Sequence, residues 1–163
     1  MRQHVRSTGR VGLDRGSTRA ALHVEGVVVE HDEFIGHVQA RLRLDSRGAA
    51  ERATRATLET LGERIPEGLA DNLAAQLPQE IGEHLRRTIT WGGQATGERF
   101  DRHEFVRRVA ARSGADEPVA GYQARGVLEV VDEATTGGIV DKVRAALPED
   151  IRELVMAGTG GEV

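Results

Sequence analysis

Apolar residues recur at helical spacing through most of the chain after residue 30. Near the start of this region, four of them lie at intervals that place them on one face of an α-helix: Phe34, Ile35, Val38 and Leu42. This pattern predicts a helix that begins near His31. The same pattern returns later in the chain and predicts another helix that begins near Arg102.

The chain contains an internal repeat. Residues 32–45, DEFIGHVQARLRLD, align with residues 103–116, HEFVRRVAARSGAD, at an offset of 71. One residue is then lost, and residues 56–81 align with residues 126–151 at an offset of 70. The apolar positions stay in phase over both segments. Agreement over this length indicates the duplication of one structural unit.

Each repeat is predicted to form four helices. The second helix is long, at about 47–64 and 118–134, and the third is short, at about 67–76 and 137–146. An apolar stripe is predicted along the second helix of each repeat. It runs through Ala53, Thr57, Leu58, Leu61 and Ile65 in the first repeat and through Tyr122, Val127, Val130 and Val131 in the second.

A Leu-Pro pair precedes the fourth helix of each repeat, at Leu77-Pro78 and Leu147-Pro148. Proline disfavours the helical conformation at the residue before it, so the third helix is expected to end there. Proline also fits the first turn of a new helix, since it has no N–H to satisfy. Acidic residues follow both prolines and interact favourably with the positive end of a helix. The motif therefore predicts a corner between two helices.

These patterns predict an all-α protein made of two tandem four-helix repeats that pack as a pseudo-twofold helical bundle. The predicted organisation is a disordered or weakly ordered leader at 1–30, repeat one at 31–86 and a linker at 87–100. Repeat two follows at 101–156, and a tail at 157–163. In the second repeat, Asp101 is the predicted N-cap, and Glu104 stands at the spacing of a capping box.

Composition narrows the possible functions. The chain has no cysteine, which excludes disulfides, thiolate nucleophiles and cysteine-based metal sites. Its net charge of −4 is untypical of a general nucleic-acid binder, so nucleic acid is an unlikely partner. No apolar run approaches the length of a membrane span, so no membrane association is expected. We expect a soluble, cytoplasmic protein.

The first thirty residues differ from the rest, with a net charge of +2 against −6 for the remainder. Three interpretations stay open: a disordered basic tail, a translated leader upstream of a start codon at one of Val27 to Val29, and a functional arm that contacts nucleic acid or membrane.

Candidate chemistry is sparse. Glu33 and His37, and likewise Glu80 and His84, are four residues apart and could supply metal ligands from one helix face, but neither pair recurs in the other repeat. No nucleophile elbow or phosphate-binding loop motif occurs. We therefore predict no catalytic, cofactor-binding or metal-binding residues. Trp91, the single tryptophan, is predicted either to fill the gap between the repeats or to contact a protein partner.

The two copies of the unit, with the opening Glu-Phe and the Leu-Pro corner, resemble the bacterial and archaeal family called domain of unknown function 2267, over about residues 31–155. The resemblance implies an all-α fold and a general association with stress, and it transfers no catalytic residue. We predict a non-enzymatic module that acts through protein–protein contact, in stress or regulation, with a protein partner or as a homo-oligomer. The alternatives are a small-ligand or enzyme pocket between the repeats and nucleic-acid contact through the leader.

Overall fold

A computed structural model describes residues 30–88 and 98–160, and these form eight helices. The first repeat contains α1 (His31–Leu42), α2 (Arg47–Arg64), α3 (Glu67–Ala74) and α4 (Gln79–Arg86). The second contains α5 (Arg102–Ser113), α6 (Glu117–Ala134), α7 (Ile139–Ala146) and α8 (Glu149–Gly160). The prediction of an all-α helical bundle is confirmed. The predicted leader lies outside the described residues, apart from Glu30.

Local chemistry explains where several helices begin and end. The Ser46 hydroxyl accepts a hydrogen bond from the Ala49 amide at 3.0 Å, and the Asp101 carboxylate accepts one from the Glu104 amide at 2.9 Å. The N-cap predicted at Asp101 is therefore confirmed. The Glu104 side chain pairs with Arg107 and with Arg108.

Both Leu-Pro corners have the predicted effect. α3 and α7 end before the proline, and each proline carbonyl accepts the first hydrogen bond of the next helix, at 2.8 Å from Gly82 and 2.9 Å from Arg152. Each proline stands immediately before the first helical residue, one position earlier than expected. α8 runs to Gly160, beyond the predicted end of repeat two at 156 and into the predicted tail.

The core is built from one face of each helix. The four apolar residues of α1 are buried as predicted, and Phe34 and Phe105 occupy matching core positions. The stripe predicted on α6 was wrong at Tyr122, whose exposed fraction is 47 %. The buried face of α6 passes through Ala120 and Ala124. Tyr122 lies two positions from each of them, so its side chain points to the opposite side of the helix.

The two repeats share one hydrophobic core. α2 packs against α5 and α6 of the other repeat, α6 packs against α1 in turn, and α3 packs against α7. This set of contacts is the one expected if a two-fold axis relates the repeats, although the pseudo-symmetry itself stays a prediction. No helix within the described residues is long and apolar enough to cross a membrane.

Candidate functional site

A cavity of about 330 Å³ lies between the two repeats. The first repeat contributes residues from α1, α2 and α3, and the second contributes residues from α6 and α7. The cavity is mostly lined by aliphatic side chains, among them Leu61, Leu73, Leu128, Val131, Val140, Val143 and Leu147. All of these residues except Leu147 lie in α2, α3, α6 or α7, so the apolar spacing that builds the core also lines the cavity.

Charged residues form the rim of this cavity and make ion pairs with one another. The Arg41 guanidinium of α1 lies 3.3 Å from Glu129 and 2.5 Å from Glu133 of α6, so this pairing joins the two repeats. Arg144 of α7 lies 3.4 Å from Asp132. The hydrogen bond to Glu133 helps to hold the pKa of Arg41 above its ordinary value.

One polar atom at the rim has no partner. The Nε nitrogen of Arg144 is buried and makes no hydrogen bond among the described residues, while its two Nη nitrogens reach Asp141 and Asp132. A buried donor without an acceptor costs about 1–3 kcal/mol. Arg144 lines the cavity as a residue, but its Nε atom is covered by surrounding protein atoms and does not face the open space.

A second charged cluster joins α2 to α5. The Glu63 carboxylate accepts hydrogen bonds from Arg108 at 2.8 Å and from Arg112 at 2.5 Å. Burial alone would raise the pKa of Glu63, but the hydrogen bonds from Arg112 and Arg108 hold that pKa below its usual value. Every member of this cluster is already partnered, so the cluster stabilises the contact between the repeats.

The histidines singled out in the first repeat lie in two different settings. His37 is exposed, whereas His31 and His84 line an open groove of about 570 Å³ between α1, α2 and α4. His84 Nδ1 is 3.1 Å from an Arg87 nitrogen, which can only donate, so the neutral ring carries its proton on Nε2. Burial, followed by the charge of Arg87, lowers the pKa of His84.

Neither histidine pair forms a metal site with a third ligand. Over residues 30–88 and 98–160, no three His, Cys, Asp or Glu side chains are placed to hold a metal ion. Trp91, the candidate partner contact, lies outside the described residues.

The sequence patterns did not identify the rim residues of the cavity. Arg41 and Glu129 are 88 positions apart, and each is one of many charged residues on a polar helix face. Only the packing of α1 against α6 brings them together. The one available signal was the repeat itself, which predicts that the two halves face one another.

No curated protein matches the chain. A family model described as "Uncharacterized conserved protein (DUF2267)" matches residues 31–154, from the first residue of α1 into the first turns of α8. The match covers most of the chain and agrees with the resemblance carried by the repeated unit, so the chain belongs to the DUF2267 family.

Proposed function

We propose that the chain is a non-catalytic binding module that holds a small, largely apolar molecule between its two repeats. The cavity shared by the repeats is the observation that carries this proposal. Its volume of about 330 Å³ falls at the lower end of the range of about 300–1,000 Å³ that small-molecule sites occupy. The absence of cysteine from the chain suits a cytoplasmic location, which we also propose.

The chemistry of the cavity defines the ligand that fits it. Leu61, Leu73 and Val143 offer an apolar surface to a hydrocarbon body. The guanidinium groups of Arg41 and Arg144 at the rim offer hydrogen-bond donors to one oxygen acceptor. A molecule with an apolar body and one carbonyl, ether or similar oxygen would satisfy both features.

The ion pairs at the rim favour binding over acid–base catalysis. Glu129, Asp132 and Glu133 each already have a guanidinium partner. A general base needs a free oxygen within hydrogen-bond reach of the proton that it removes. One oxygen of each rim carboxylate is held by an arginine of a neighbouring helix, which suits a role in closing the cavity.

A fluorescent apolar probe tests the proposal directly. N-phenyl-1-naphthylamine is uncharged and gains fluorescence in apolar surroundings, so its titration with the full chain should saturate at one site per chain. Val140→Trp adds bulk at a partly buried position that lines the cavity and should abolish the signal. Ala111→Trp adds a tryptophan at an exposed position of α5 and should leave the signal unchanged.

Two results would contradict the proposal. One is the absence of saturable fluorescence with a folded wild-type chain. The other is equal fluorescence in the wild type and in Val140→Trp, because the probe would then lie outside the cavity. The circular dichroism of each variant establishes that it is folded.

A separate observation favours protein–protein contact as a second candidate function. Val119 and Tyr122 are exposed, at 46 % and 47 %, and lie three positions apart on α6, where they form neighbouring apolar side chains on its surface. The Arg125 guanidinium lies 5.7 Å from the Tyr122 ring centre. Aromatic and arginine side chains are the residues that most often anchor protein interfaces.

Association through this face is measurable by light scattering. If two copies of the chain meet at Val119 and Tyr122, the measured mass should approach twice 17.7 kDa and return to one chain in Tyr122→Ser. A wild-type monomer at all concentrations would exclude self-association through this face. A role in stress or regulation stays a prediction.

A further inference from the structure

Arg64 is a buried arginine that forms no ion pair with any described residue. It is the last residue of α2, and only 8 % of it is exposed. Its Nε donates a hydrogen bond to the Phe100 carbonyl at 3.0 Å, and its guanidinium lies 5.8 Å from the Phe100 ring centre. No carboxylate among the described residues lies within 4.0 Å of the guanidinium. A buried charge without a partner is costly, and a ligand of opposite charge would offset that cost.

The free part of this guanidinium faces an open depression. The two Nη nitrogens of Arg64 make no hydrogen bond with a described residue and are not sealed inside the protein. Arg64 lines a depression of about 520 Å³ together with Arg99, Phe100, Pro148 and Asp150. The depression lies where the end of α2, residues 98–100 and the start of α8 meet.

The acidic residues of the depression are engaged elsewhere. The Asp101 carboxylate caps α5, and Glu104 pairs with Arg107 and Arg108. Asp150 accepts hydrogen bonds from the Arg102 amide at 2.9 Å and from its neighbouring amide of Ile151 at 2.7 Å.

A second cation stands beside the first. Arg99 is exposed and makes no ion pair with a described residue. Burial, and after it the nearby charge of Arg99, lowers the pKa of Arg64. The charge of Asp150 acts on Arg64 in the opposite direction and raises that pKa, but weakly enough that the net shift stays downward. Asp150 forms no ion pair with either guanidinium, which leaves room for an external anion.

We infer that this depression binds the carboxylate of a small organic acid. The Nη nitrogens of Arg64 offer two parallel N–H groups, the arrangement that matches the two oxygens of a carboxylate. Arg99 supplies a second positive charge at the rim. Phe100 and Pro148, both partly exposed, provide apolar contact for the carbon skeleton of the acid.

The surroundings favour a single negative charge over a phosphate. Three acidic residues, Asp101, Glu104 and Asp150, line the depression and would repel a dianion more strongly than a monoanion. The repeat does not duplicate this site, since the repeat offset of 70 places Ala134 at the position that corresponds to Arg64.

The test is a titration of the full-length ¹⁵N-labelled chain with benzoate, observed by NMR. Benzoate should shift the Phe100 amide and the Arg64 Nε–H resonance, while uncharged benzamide should not. Arg99→Gln removes an exposed charge without a partner and should weaken benzoate binding by about three- to tenfold. Arg64→Gln should weaken it by about tenfold or more. The control is Arg52→Gln, because Arg52 is an exposed arginine of α2 outside the depression, and its replacement should leave the affinity unchanged.

Several outcomes would overturn the inference. One is the absence of shifts at Phe100 with benzoate at about 50 mM, a concentration that detects even weak binding. Equal affinity of the wild type and Arg99→Gln for benzoate would also overturn the inference. This result does not require Arg64→Gln to be folded. Tighter binding of inorganic phosphate than of benzoate, lost in the same variants, would reassign the site to phosphate.

Discussion

At the scale of single residues, Gly82 explains why the first corner is tight. A Cβ atom at Gly82 would lie 2.6 Å from the carbonyl oxygen of Ala74, so any side chain there would push α4 away from α3. The second repeat has Arg152 at the corresponding position, so the glycine is specific to the first corner. The helix that follows the second corner, α8, is also four residues longer than α4.

Gly82→Ala should therefore lower the free energy of unfolding by about 1–3 kcal/mol, the usual cost of forcing bulk into a packed contact. Gly68→Ala is the control, because a Cβ at Gly68 meets no atom within 4 Å. That variant should unfold at an equal or slightly higher urea concentration, since alanine favours a helix by up to about 1 kcal/mol over glycine. Equal midpoints for the wild type and Gly82→Ala in urea unfolding would contradict the close contact.

His84 should make the protein sensitive to mild acid. Because burial, and then Arg87, lowers the pKa of His84 below the ordinary value of 6.5, the unfolded chain binds this proton more readily than the folded chain. The contribution of neutral His84 to the free energy of unfolding should be fully present above pH 6.5. It should be lost as the pH falls through the lowered pKa. His84→Leu, which copies Leu154 of the second repeat, should show a smaller loss of unfolding free energy between pH 6.5 and about pH 5.

Urea unfolding at a series of pH values measures this slope. His37→Gln replaces an exposed histidine and should retain the wild-type slope. If His84→Leu and the wild type lose stability in parallel over this range, another group accounts for the acid sensitivity.

At the scale of helices, the sequence predicted most of the elements, because their signals are local. Apolar spacing located the first residues of α1 and α5, and proline ended α7 at the residue before Leu147 by steric exclusion, whereas α3 already ends at Ala74, short of its Leu-Pro pair. The error at Tyr122 arose because a long helix with several small residues has more than one plausible apolar face. Which helices contact each other was predictable only through the repeat, since contacts between distant segments leave no local pattern.

The contact between α2 and α5 should depend on Glu63. Its side chain is 19 % exposed and accepts hydrogen bonds from Arg108 and Arg112. Glu63→Gln removes the negative charge that both arginines contact and should lower the free energy of unfolding at pH 7 by about 1–2 kcal/mol. The loss should be smaller than for a fully buried pair, because these side chains keep some contact with solvent.

The pH dependence gives this prediction a second test. The lowered pKa of Glu63 means that its contribution is present above the ordinary pKa of 4.5 and is lost as the pH falls through the lowered value. The difference between the wild type and Glu63→Gln should therefore shrink below pH 4.5. Glu51→Gln, at a 46 % exposed pair with Arg47, should cost about 0.5 kcal/mol or less. A constant difference at every pH would show that lost packing, not the charge, is responsible.

At the scale of the whole molecule, the cavity between the repeats was partly predictable from the sequence, whereas the depression at Arg64 was not. A pocket between the repeats was an expected alternative, because two facing amphipathic units enclose space between them. Its lining residues were not predicted, since they come from five helices. Arg64 gave no signal, because an arginine at the end of a helix is ordinary, and only its burial beside Phe100 distinguishes it.

The shared core predicts that the two repeats unfold together. α2 and α6 each pack on helices of the other repeat, and a single cluster of buried side chains spans both. Calorimetry of the full chain should therefore give one transition whose calorimetric and van't Hoff enthalpies agree. Leu58→Ala, at a fully buried position of α2, should cost about 2–5 kcal/mol. It should reduce hydrogen-exchange protection as strongly in α6 as in α2, because global unfolding exposes both. Protection that falls in the first repeat alone would mean that the repeats are separate folding units, and a cavity between them would then open without unfolding either one.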